Sequence, residues 1–166
     1  ELSQEAHEIR DKNTDHSIIL NTRALKKAHN AIVECPTIVK DHQFNVLIAG
    51  IHSELGQNYL NFGDLTRAID HYEAGMKLWQ SVDSLERSID NGSAIGTIFI
   101  FEGKRLQAID LLSKQLQLAK SIKYNDGIAT VQSNLGALHR QRGNLEEALN
   151  FYNASLVTTI RSGDTF

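Results

Sequence analysis

Seven histidines, twenty carboxylates and one cysteine are the raw material for chemistry in this chain. Metal binding would need histidines at ligand spacing. His7, His16, His29, His42, His52, His71 and His139 are scattered, and no two stand at i, i+4 on one helix. The HExxH pattern is absent, so no metal site is expected. Cys35 is the only cysteine, which excludes an intrachain disulfide and a thiolate zinc site. It also fits a reducing compartment, so a cytoplasmic location is expected. The pair Glu146-Glu147 reads as a solvated first turn, where carboxylates oppose the positive end of the helix dipole. Walker, GxSxG and dinucleotide fingerprints are missing. The reading is therefore of a chain that is not an enzyme, with no catalytic residue and no cofactor.

Contact chemistry is better supplied. In Ile98-Phe99-Ile100-Phe101 one helix cannot turn all four side chains toward one core. Phe101 and Ile100 are the sharpest candidates for a partner contact, with simple packing as the alternative. Trp79 continues the stripe Ala68, Tyr72, Gly75 at helical steps and reads as core. His139 reads as a packed core histidine.

The elements that must position these residues follow a period. Leu55-Gly56, Tyr59, Gly63 and Ala68 recur forty residues on as Ile95-Gly96, Phe99, Gly103 and Ala108. They recur again as Leu135-Gly136, His139, Gly143 and Ala148. A period of this size means stacked units, each burying its apolar face on the next. Within a unit, Ile128, Val131, Leu135 and Leu138 give one helical face, and Leu145, Ala148, Leu149, Tyr152 and Leu156 give a second. Gly143-Asn144 breaks the two apart, because glycine supplies the left-handed conformation that closes a helix. Gly56, Gly96 and Gly136 lie inside helices, where glycine costs about 1 kcal/mol against alanine. A close helix crossing accounts for that cost, and Ala68, Ala108 and Ala148 are expected to face it. Asn91-Gly92 predicts an irregular or soft stretch in its helix.

Subtracting forty places a degenerate first unit on Leu25, Ala28, Ile32 and Cys35. Its first helix is expected over roughly the first twenty residues. His16 replaces the inner glycine, Arg23 the helix-ending one, and Pro36 should kink or end the second helix. The expected organisation is one continuous array of about eight helices over residues 1–166, in repeats 1–43, 44–83, 84–123 and 124–163. The short loops fall near Asp41–Gln43, Ser81–Ser84 and Ser121–Asp126. Arg161 to Phe166 resembles the start of another such loop, and the chain reads as a fragment of a longer protein. Net charge is −3, which gives no electrostatic footprint for nucleic acid. The apolar runs are too short to insert in a membrane.

The anchors resemble the tetratricopeptide repeat. Asn134-Leu135-Gly136, His139, Gly143-Asn144-Leu145-Glu146-Glu147-Ala148-Leu149 and Tyr152 are similar to the family pattern. So are Leu55-Gly56, Tyr59, Gly63-Asp64-Leu65, Ala68-Ile69 and Tyr72. Repeat three departs from it, with Leu112 where an aromatic is usual and Gln115 where a small residue is. The forty-residue form is similar to adaptors of the LGN and kinesin-light-chain kind and to bacterial sensor regions. The resemblance implies an all-α solenoid of antiparallel helix pairs in a right-handed superhelix. It implies a protein or peptide partner held in a groove lined by the first helix of each pair.

On this chain the groove maps to Ser53, Gln57, Leu60 and Asn61, then Ser93, Thr97, Ile100 and Phe101, then Ser133, Asn134, Ala137, Arg140 and Gln141. Asn134 stands where related arrays often hold a ligand-clamping asparagine, whereas Glu54 and Ala94 occupy its equivalents. The leading expectation is a binding scaffold forming the regulatory part of a larger signalling protein. A ligand-sensing array controlling an attached enzyme, such as a diguanylate cyclase, or a DNA-binding domain is the second. Self-association into a homo-oligomer through the terminal repeats is the third.

Overall fold

Glycines and aspartates set where the helices stop and start. A computed structural model describes residues 2–163, with side chains from residue 13 onward. Among the described residues there are seven α-helices, one short 3-10 helix and no strand. The chain is an all-α solenoid of paired helices, grouped in two compact units, Glu1–Ser84 and Leu85–Phe166.

The first unit holds α1 (Leu2–Glu34), the 3-10 helix Pro36–Lys40, α2 (His42–Phe62) and α3 (Leu65–Ser81). Asp41 caps α2, its carboxylate accepting the Phe44 N–H at 2.7 Å. Gly63, at φ +86°, closes α2 with its N–H on the Leu60 carbonyl. Asp64 caps α3 through the Arg67 N–H at 2.9 Å and also pairs with the Arg67 side chain at 2.6 Å. This compact turn folds α3 back along α2. Ala49, Trp79 and Val82 form a buried cluster there, flanked by Val46 and Leu78. Trp79 is therefore core, as its place in the stripe predicts.

α1 departs from expectation. A helix pair was expected there, but α1 runs unbroken past Arg23. No glycine stands there to take the left-handed conformation that closes the other first helices, so the hydrogen-bond ladder continues. Pro36 does end it: α1 stops at Glu34, Cys35 leaves helical geometry at φ −136° and ψ 82°, and proline opens the 3-10 helix at its first turn. α1 leans on α2 through polar contacts, Asn58 donating to the Ser17 hydroxyl at 2.8 Å and Asn21 to Glu54 at 3.1 Å.

The second unit holds α4 (Leu85–Phe101), α5 (Arg105–Ser121), α6 (Asn125–Gln141) and α7 (Leu145–Gly163). Gly103 and Gly143, at φ +71° and +78°, end α4 and α6. The turn after α5 instead carries Lys123 at φ +58°, and the turn after α3 carries Asp83 at +56°. The core gathers Ile89 and Ile100 of α4, Ala108, Leu112 and Ala119 of α5, and Val131, Leu135 and Leu138 of α6. At the far end α7 remains helical through Gly163, so no loop starts at Arg161. Residues 164–166 of that expected loop lie outside the described residues.

The close crossings are also displaced from expectation. The atoms nearest the inner glycines are not those of Ala68, Ala108 and Ala148. A Cβ on Gly56 would meet the Tyr72 ring, on Gly96 the Leu112 side chain, and on Gly136 the Tyr152 ring. The tight turn sets the register of each hairpin, and that register brings the residue sixteen positions on to the glycine. The three alanines are buried one turn earlier on the second helix. Gly92 has the same use. α4 passes through Asn91-Gly92 unbroken, and a Cβ on Gly92 would sit 2.6 Å from the buried Gln115 side chain. The outsized Gln115 and the extra glycine are thus one feature.

Candidate functional site

α2 in the first unit, with α4 and α6 in the second, position the residues expected to meet a partner. On α2, Ser53 is half-buried and turned to the core. Its hydroxyl donates to the Ala49 carbonyl at 3.0 Å and accepts the Trp79 indole N–H at 2.9 Å. Gln57 and Asn61 are exposed and joined by a 2.9 Å hydrogen bond, while Gln57 also accepts from the Tyr72 hydroxyl at 3.2 Å. Leu60 is half-buried beside them.

On α4 the helical turn separates neighbours sharply. Ile100 is 6% exposed and belongs to the core, so it lies away from any open surface. Phe101, one residue on, is 73% exposed. Ser93 is buried as well, and its hydroxyl has no hydrogen-bond partner. The Ser93 carbonyl accepts from Thr97 at 3.0 Å and from the Asn134 amide at 3.4 Å. Ser93, Thr97 and Asn134 are thereby brought together. Asn134, cast by the resemblance as a ligand clamp, spends this amide contact on its own chain. Ser133, Arg140 and Gln141 are exposed on α6, with Ala137 half-buried.

A cluster that spacing within one helix could not reveal lies on the α2–α3 hairpin. His52 and His71 meet Nδ1 to Nδ1 at 3.0 Å. The His71 ring stacks on Tyr59, with centroids 5.4 Å apart and planes at 11°. The Arg67 guanidinium lies 4.3 Å from the centre of the Tyr59 ring. Burial, with repulsion from His71 second, pulls the His52 pKa down to about 4. Burial lowers His71 too, against the pull of Asp70 and with help from Arg67. Both imidazoles are therefore neutral at pH 7, and their contact is a neutral N–H to N hydrogen bond. The histidines are not all scattered, but among the described residues no three His, Cys, Asp or Glu side chains gather as metal ligands. His139 is half-buried with its ring 5.3 Å from Phe151, as a packed histidine. The His7 side chain lies outside the described residues.

Among the described residues no helix is long and apolar enough to cross a membrane. Residues 87–156 match the family model described as tetratricopeptide repeat. A relative, "Outer dynein arm-docking complex subunit 4" of Danio rerio, is 33% identical over 78 residues. That match covers 45% of this chain and 15% of the relative, so the chain spans a small part of that protein's length. In structure the chain is similar to BtubC (BKLC) from P. vanneervenii, with a TM-score of 0.60. The superposition covers 87% of this chain and 73% of that one at 16% identity, a likeness of fold. The tetratricopeptide resemblance read from the repeat anchors therefore stands, carried in sequence by residues 87–156 and in structure by the paired helices.

Proposed function

We propose that this chain is a protein- or peptide-binding scaffold, working as one array within a larger signalling protein. The observation that carries the reading is Phe101. Its counterparts in the sister repeats are Asn61 and Gln141, both polar. The fold therefore does not require an apolar side chain at that position, yet a phenylalanine stands there largely in solvent. Aromatic anchors of this kind commonly dominate the energy of a binding surface. Thr97 beside it, with Ser133, Asn134, Arg140 and Gln141 on α6, supplies a polar flank that would orient a ligand. Gln57, Leu60 and Asn61 are the corresponding wall of the first unit. Ser93, Ile100 and Ser53 are left out, because their side chains serve the interior. The name of the docking-complex relative points the same way, toward assembly with other proteins.

The test is a peptide selected by display on the wild-type protein, followed by affinity and melting measurements on variants. A lost hot spot of about 2 kcal/mol weakens binding roughly thirtyfold, which is the effect expected of Phe101→Ala. Its melting temperature should not move. Lys114→Ala on α5, an exposed residue paired with Asp110 at 2.6 Å, should change neither quantity. Unchanged affinity in Phe101→Ala would remove the binding surface from α4.

A further inference from the structure

Two half-buried positions of the α2–α3 hairpin carry histidine where the sister repeats do not. Forty and eighty residues on, His52 becomes Gly92 and Gln132, and His71 becomes Leu111 and Phe151. The fold therefore requires neither imidazole. In the last repeat the ring at the second position only packs, Phe151 lying 5.3 Å from the His139 ring. His71 keeps that packing through its stack on Tyr59. What it adds is a ring nitrogen, which meets its like on His52. A hairpin that needed only burial would carry an apolar side chain there, because half-buried polar groups cost desolvation.

The spacing of the two nitrogens is that of a chelate. A divalent transition metal sits about 2.0–2.1 Å from an imidazole nitrogen. Two such ligands then stand about 2.9 Å apart at a right angle and about 3.3 Å apart at the tetrahedral angle. The two Nδ1 atoms are 3.0 Å apart, between these values. The ring centres are 5.1 Å apart and the planes are tilted by 43°, so small ring rotations turn both lone pairs toward one point. The hydrogen now shared between the nitrogens moves to Nε2 of the ring that carries it, the tautomer that a metal on Nδ1 requires. Both imidazoles stay neutral in that step. Asp70 favours positive charge at His71, and Arg67 opposes it. Arg67 is itself paired with Asp64 at 2.6 Å.

We propose that His52 and His71 form a two-histidine chelate for a divalent transition metal ion of the imidazole-binding class, with water completing the shell. Cu²⁺ should bind tightest, with Ni²⁺ and Zn²⁺ below it. The ion would bridge α2 to α3 and fasten the hairpin. The site lies wholly within the first unit and uses no residue of the Phe101 surface.

The probe is Zn²⁺, titrated calorimetrically into the whole chain at neutral pH, with Ni²⁺ and Cu²⁺ in parallel. One saturable site per chain is expected, together with a metal-dependent rise in the urea midpoint reported by Trp79. His52→Gln and His71→Phe install the residues that the last repeat carries at these positions. Each should weaken binding by about tenfold or more and remove the rise in midpoint, with the circular dichroism spectrum unchanged. Cys35→Ser and His42→Gln, which take away exposed ligands elsewhere, should leave the site as it is. Should a histidine variant not fold, nitrogen NMR of the wild type replaces it: the Nδ1 resonances of two histidines should shift together on adding Zn²⁺. Absence of saturable binding by all three ions overturns the proposal. So does binding that survives both histidine changes, or a Zn²⁺ titration that moves one histidine alone.

Discussion

Replacing Gly56 with alanine puts a methyl group against a ring that has little freedom to move. The new Cβ would lie 2.7–2.8 Å from three carbons of Tyr72. That ring is buried, and its hydroxyl is tied to Gln57. Gly50, six residues earlier on the same helix, has ordinary space: its nearest neighbour is Cζ2 of Trp79 at 4.0 Å. Alanine gains about 1 kcal/mol over glycine in a helix interior. Gly50→Ala should keep most of that gain. At Gly56 an overpacking cost of about 1–3 kcal/mol opposes it, which leaves a net loss of about 1 kcal/mol. The two variants should therefore differ by about 2 kcal/mol with opposite signs. Trp79 is the only tryptophan and is buried in the first unit, so its fluorescence reports the unfolding of that unit. With a slope of about 2 kcal/mol per molar urea, each midpoint should move by about 0.5 M, Gly50→Ala upward and Gly56→Ala downward. Two upward shifts would show that the Tyr72 ring yields. The close crossing would then not be the reason for glycine at that position.

Ser53→Ala removes the acceptor of the Trp79 indole N–H and should lower the urea midpoint by the equivalent of about 1–3 kcal/mol, while leaving the affinity of a Phe101-dependent peptide intact. Loss of affinity without loss of stability would return Ser53 to the binding surface. The histidine pair predicts an acid response. Both folded pKa values lie below the unfolded one, so the unfolded chain binds more protons as pH falls. The stability from this pair is full above about pH 6.5 and declines as pH falls toward 4. The urea midpoint should drop between pH 7.5 and pH 5, above the range where most carboxylates titrate, and His52→Gln should flatten that drop. An equal drop in wild type and variant would refute the assignment.

The signals that could be read in the sequence are local ones. Gly63, Gly103 and Gly143 were legible as helix ends, because positive φ is a demand of the backbone at a single residue, and all three sit there. The stripe that includes Trp79 was legible because helical spacing alone puts it on the inner face. Phe101 stood out because four apolar residues in a row cannot share one side of a helix. Which of Ile100 and Phe101 the core would take was not legible. Ile100 and Phe101 are about 100° apart on a helix, and only the packing of α4 decides which one the core takes. The partner of each inner glycine was missed for a related reason. Spacing places Gly96 and Ala108 on facing helices, but the register of the hairpin brings Leu112 to the glycine instead.

The amino-acid sequence by itself determined the helical class, the forty-residue period, the turn positions and the tetratricopeptide resemblance, because each follows from residues close together along the chain. Only the tertiary structure decided that α1 is a single helix, that Gly92 makes room for Gln115, and that His52 meets His71. Those outcomes depend on how close two helices come and in what register, and distances through space are not carried by spacing along the chain.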